Sequence, residues 1–182
     1  GVNRISRTIY SNAAGAICGM VSGEPTQGDD KPLIAVTMFG NTTRAVNQAK
    51  PILEAAGYEV LVFHATGTGG RTMESLIADG LITGVLDLTT TEWADELLGG
   101  VLSAGARRLE AAGRAGIPQI VAPGCLDMCN FWERNTVVEK YAGRTFYEWN
   151  ANVTLMRTTP EENARLGEIF AEKLNAATGP TA

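Results

Sequence analysis

Histidine, cysteine and long apolar runs are scarce in this chain, and each scarcity removes a class of function. There are three cysteines, Cys18, Cys125 and Cys129, and a single histidine, His64. An odd cysteine count with no paired framework predicts free thiols in a reducing compartment, the cytoplasm. Cys125 and Cys129 stand four residues apart, but no further cysteine or suitably spaced histidine completes a zinc set, so no metal site is expected. No apolar stretch approaches the length of a membrane span. No charged start leads into an apolar core at the N-terminus, so no secretory signal is read there. Basic residues gather only at Arg4/Arg7 and Arg107-Arg108 in a chain of net charge −5, which argues against a nucleic-acid partner. Neither a GxGxxG fingerprint nor a GxxxxGKS/T phosphate loop occurs, and no nucleophile elbow supports a Ser–His–Asp hydrolase.

What the chain does have is four short apolar runs, each ending in a polar, mostly Gly- or Thr-rich loop. The joins are LIAVTMF into GNTT (33–43), EVLVF into HATGTGG (59–70), GVLDL into TTTE (84–92) and PQIVA into PGCLD (118–127). Strand ends followed by such loops and helix starts are where parallel α/β sheets bind anions and small molecules. The 182 residues suffice for one domain with a sizeable core.

The periodicity predicts a thin, small-residue helix over 6–21 and a turn-rich linker over 22–32, ahead of an α/β domain from residue 32. Strands are expected at 33–39, 58–63, 83–88 and 118–122. Helices are expected at 44–56 and 71–79, and over the longer return 93–102 and 107–115. Strands recurring between helices imply a mostly parallel sheet in a Rossmann-like, three-layer domain. Residues 124–152 break the rhythm with six aromatics, Phe131, Trp132, Tyr141, Phe146, Tyr147 and Trp149, and read as an insertion serving as lid or subunit contact. Residues 145–149 and 153–157 are each compatible with a short strand. Thr159-Pro160-Glu161-Glu162 reads as a capping box opening the last helix.

Candidate site residues cluster at the strand ends. Gly40, Asn41, Thr42 and Thr43 follow the first strand. Gly40 permits close backbone approach, and free N–H groups there would hold a phosphate or carboxylate, although a simple helix cap explains the same residues. His64 precedes Gly67, Thr68, Gly69 and Gly70, a loop able to wrap an anion, with Arg71 beside it. Asp87 lies inside an apolar strand and, if buried, needs partners. Thr90 and Thr91 offer hydroxyls, and Glu92 or Asp95 is an acid–base or magnesium-ligand candidate or a complement to a helix dipole. Gly124 and Asp127, with Asn130, can fix sugar hydroxyls. Cys125 as a nucleophile would need His64 as its base; most free cysteines are apolar fillers.

The stretch 84–131, with MFGNTT (38–43), LDLTTTE (86–92), PGCLDMCNF (123–131) and TLMRTTPEEN (154–163), resembles the C-terminal half of an uncharacterised protein family. That family is also called the Tm-one-like, or tomato mosaic virus resistance protein-like, ATP-binding domain family. The resemblance covers nearly the whole chain. It implies an intracellular protein of two Rossmann-like lobes, of which this chain is the second, without its N-terminal lobe. It also implies ATP, with magnesium, as ligand, and a TIM-barrel partner similar to phosphoenolpyruvate hydrolases. Cys125, Cys129 and Trp149 depart from the family pattern.

Three functions follow as expectations. The first is binding of ATP or a phosphometabolite at the strand-end loops. The second is a hydrolase or lyase acting on an anionic carbon compound, with Glu92 or His64 as the acid–base group. The third is an interaction module, a homo-oligomer assembled through helix 6–21 and the aromatic segment.

Overall fold

The computed structural model describes residues 1–24, 28 and 30–182. Residues 25–27 and 29 of the expected 22–32 linker lie outside the described residues. The chain forms two compact units, Gly1–Asp30 and Lys31–Ala182. The first is a single helix, α1 (Arg4–Ser22). Asn3 caps it: its side-chain oxygen accepts the N–H groups of Ile5 and Ser6, while Ser6 Oγ accepts the N–H of Asn3. None of its side chains is buried, and Ile5, Ile9, Ile17, Met20 and Val21 are exposed.

The second unit is built on four parallel strands, β1 (Leu33–Met38), β2 (Glu59–His64), β3 (Gly84–Asp87) and β4 (Gln119–Val121). Their spatial order is β2-β1-β3-β4. Residues 180–182 run along the free side of β4, where Gln119 bridges in parallel to Thr181. Side chains alternate across the sheet, as strand geometry requires. Helix α2 (Thr43–Ala55) covers one face, with Val46 and Leu53 on Val36, Val60 and Leu86. Helices α3 (Thr68–Ala78) and α5 (Ala111–Ala115) cover the other, with Met73, Ile77 and Ala112 on Ala35, Phe63 and Val85. These are the three layers of a Rossmann-like α/β domain.

Helix α4 (Glu92–Leu98) follows β3 and packs through Trp93 and Ala94 on Leu166, Ile169 and Phe170 of α6 (Pro160–Asn175). Thr159 caps α6 in the anticipated box, accepting from Glu162 N–H while Glu162 accepts from Thr159 N–H. Arg144 pairs with Glu162 and holds its carboxyl below the ordinary range.

Two readings are corrected by the structure and a third, the short strands expected at 145–149 and 153–157, is extended. Helix α3 begins at Thr68, not residue 71, because Gly67 turns the chain at φ 83° and the glycine loop becomes the helix's first turn. The long return of 93–115 shrinks to α4 and α5, since Gly99, Gly105 and Leu109 all take left-handed φ values that an α-helix cannot contain. Part of the aromatic segment forms a second sheet. Strand β5 (Met128–Phe131), unread in the sequence, pairs antiparallel with β7 (Val153–Arg157), which pairs with β6 (Phe146–Asn150). Its aromatics divide. Phe131 and Tyr141 are buried, with the Tyr141 hydroxyl donating to Leu98 O, while Trp132, Tyr147 and Trp149 are exposed.

Candidate ligand site at the strand ends

From β1 the chain crosses to β2 on one side, and the other two strands lie on the opposite side, so the order reverses between β1 and β3. Loops leaving the two strands diverge there and open the crevice in which doubly wound sheets bind ligands. Three of the four expected loops meet at this point. Thr42 Oγ1 and Thr89 Oγ1 are 2.7 Å apart, and Thr90 N–H donates to Gly124 O at 3.0 Å. Cys125 follows in the fourth loop with a left-handed φ of 62°. Gly124 admits no side chain, because a Cβ would stand 2.1 Å from Leu88 O.

Beneath the loops lies a buried polar network centred on Arg108. Its guanidinium grips Asp87 with two bonds, Nη1 to Oδ2 at 2.6 Å and Nη2 to Oδ1 at 2.9 Å. Its Nε donates to Glu92 Oε2 at 2.8 Å, and Nη1 approaches Glu74 at 3.4 Å. Thr37 Oγ1 donates to Asp87 and accepts Thr89 N–H, which carries the network to the Thr42–Thr89 contact. Three carboxylates around one guanidinium hold Arg108 firmly protonated despite its burial. Burial raises the carboxyl of Glu74 against the pull of Arg108. Among the described residues every buried side-chain nitrogen and oxygen has a partner, as an interior of low dielectric demands.

The structure separates the expected site residues into two groups. Gly40, Asn41, Thr68 and Asp127 are exposed, and Thr42, Thr43, Gly69 and Gly124 are half-buried. Gly67, Gly70, Thr90, Thr91 and Glu92 are buried. Glu92 is 1% exposed, and its Oε1 accepts the N–H groups of Gly67 at 2.7 Å and Gly70 at 3.0 Å. Those two amides thus already hold an anion, the protein's own, and a Cβ on Gly70 would stand 2.1 Å from that carboxylate. A substrate would have to displace Arg108 and both amides before Glu92 could move a proton.

His64 is exposed on the edge strand, its ring 5.5 Å from that of Phe39. Thr91 and Asp95 belong to a different cluster. Asp95 accepts Leu102 N–H, Asn130 N–H and the Asn130 side-chain amide, which also donates to Thr91. Burial pushes Asp95 up to about 6 although these donors pull the other way, and burial with the nearby Asp95 pushes the Cys129 thiol up. The Cys125 thiol is raised by burial and by Asp127, so neither cysteine is prepared as a nucleophile. Asp127 pairs with Arg157 at 2.8 Å, both half-exposed, and lines a cleft of about 350 Å³ with Cys125 and Asn163.

Arg108, Glu74 and Thr37 were not anticipated as parts of the site. The available signal was Asp87: a carboxylate inside an apolar strand demands a cation, and Arg108 is the one that reaches it. What the open part of the site offers is hydroxyls, amides and one carboxylate, a set suited to binding rather than to proton transfer.

Residues 31–182 match the C-terminal domain of the uncharacterised protein family UPF0261. A UPF0261 protein of Clostridium tetani is 60% identical over 183 residues, covering 100% of this chain and 45% of that protein. A second, from Mesorhizobium japonicum, is 50% identical over 180 residues, 99% of this chain and 45% of that protein. The ToMV resistance protein Tm-1(GCR237) of Solanum lycopersicum is 45% identical over 184 residues, 98% of this chain and 24% of that protein. The chain therefore spans less than half the length of these curated relatives. It belongs to the UPF0261 family and carries that family's C-terminal domain.

Proposed function

We propose that this domain binds a small phosphorylated ligand, ATP or a phosphometabolite, at the switch point between β1 and β3. The observation that carries the reading is the convergence of the three loops where the strand order reverses, with Thr42 and Thr89 in contact and Gly124 bare of any side chain. Gly40 to Thr43 would receive phosphate, and Asp127 would receive a hydroxyl. Thr68 and Gly69 would add to this from the second loop; the amides of Gly67 and Gly70 are taken by Glu92. Among the described residues no group of three or more His, Cys, Asp and Glu side chains could hold a metal, so magnesium would arrive with the phosphates, touching at most Asp127. The greater length of the relatives supports a larger protein; in this reading the remaining length would supply the other lobe, and the whole would work in the cytoplasm beside a TIM-barrel partner.

Calorimetric titration of the full-length protein with ATP, ADP and inorganic phosphate tests this. Asn41→Ala with Asp127→Ala is expected to weaken the tightest ligand about tenfold, some 1.4 kcal/mol. No saturable phosphate binding, or an unchanged affinity, rejects the proposal. A hydrolase or lyase has less support, because Glu92 is enclosed by three donors and His64 stands apart from it. Self-association is favoured by a separate observation: α1 presents an apolar stripe with no buried side chain, and the Tyr147 and Trp149 rings, 6.3 Å apart, are exposed on β6.

A further inference from the structure

Away from the strand ends, α3 and α5 leave between them a groove of about 630 Å³. Arginines dominate its lining: Arg71 from α3, Arg107 from the preceding turn and Arg114 from α5, with Arg108 at its floor. The two lining acids are already spent. Glu74 accepts Arg108 and the N–H groups of Leu109 and Ala111. Glu110 is bound by Lys173 and Arg114. The cations keep donors to spare. Arg107 makes no ion pair among the described residues, and Arg71 gives one nitrogen to Ser103 O and otherwise only a long contact to Thr68. Arg114 is 67% exposed in a same-helix pair with Glu110, a contact worth about 0.5 kcal/mol at most. Three arginines with donors to spare thus line one concavity in a chain of net charge −5.

We propose that the α3/α5 groove is a second anion site, taking a compact polyanion of the oligophosphate class. A guanidinium binds phosphate oxygens two at a time, and three of them need a ligand with several charges; a monoanion would satisfy one. The volume falls in the range of small-molecule sites, and Arg114 also borders a neighbouring concavity with Lys173 and Arg165, a short basic patch rather than the long stripe a nucleic acid needs. None of the lining residues is one that the strand-end site is proposed to use, although Arg71 touches Thr68 and Arg108 touches Glu92, so the two sites are separated by substitution.

Titration with sodium tripolyphosphate at constant ionic strength tests it, in a chain whose strand-end loops carry Asn41→Ala and Asp127→Ala. A saturable site whose affinity does not depend on those two substitutions is expected. Adding Arg107→Glu and Arg114→Glu, both at exposed positions, should weaken it by at least about tenfold, and the milder Arg107→Ala with Arg114→Ala should weaken it less. An affinity indifferent to the arginine substitutions, or no saturable binding at constant ionic strength, overturns the proposal whatever becomes of the strand-end site.

Discussion

Asp95 shows how far a single side chain departs from its sequence-level description. The sequence offers it as an acid–base candidate or a helix-dipole complement. In the fold it is completely buried and fastens α4 to β5 through Leu102, Asn130 and Thr91's partner amide. Burial raises its carboxyl from near 3.8 to about 6. An acid raised in the folded state contributes stability that is full below its unfolded value and is lost as pH rises through its folded one. Here the window runs from about pH 4 to about pH 6, and the loss amounts to about 3 kcal/mol. Asp95→Asn removes this titration. The stability of the parent relative to the variant, measured by urea unfolding, is therefore expected to be about 2 kcal/mol larger at pH 4 than at pH 7. A difference that does not change with pH refutes the assignment. The environment that sets this behaviour, Asn130 thirty-five residues away, is invisible in a local window.

At the scale of elements, the four parallel strands and the ends of α2 and α6 are legible because each follows from a local pattern, alternation, Gly stops or the Thr159 capping box, whereas β5 is not. The Gly-rich second loop is the instructive exception. Three glycines in four residues suggest a flexible wrap around an external anion. They form instead the first turn of α3, pressed so closely on Glu92 that two of its amides hold that carboxylate. Arg108, in the turn between α4 and α5, is the tie among these elements: it joins β3 through Asp87, the start of α4 through Glu92, and α3 through Glu74. Arg108→Met would leave Asp87 and Glu92 buried without their cation. Removing one partner of a buried pair typically costs about 3–5 kcal/mol, and a loss of that size is expected in urea unfolding. A loss below about 1 kcal/mol would show that the network does not hold the loops together.

For the whole molecule, residues 31–182 contain their own core and α1 buries no side chain. The segment 31–182 alone is thus expected to melt within about 2 °C of the full chain, since a change of 1 kcal/mol would move a domain of this size by a few degrees. If the apolar stripe of α1 drives self-association, light scattering should report fewer copies per particle for 31–182 than for 1–182. An equal number of copies would remove α1 from the interface, and a large fall in melting temperature would show that its contacts stabilise the fold. Local pattern by itself determined the α/β class, the succession of parallel strands and the loops that end them, because periodicity, caps and glycines act within a few residues. Only the tertiary structure decided which loop residues stay open to a ligand and which are consumed. That choice rests on one buried guanidinium: it must be matched by carboxylates drawn from α3, β3 and α4, and those carboxylates in turn claim the amides that the loops seemed to offer.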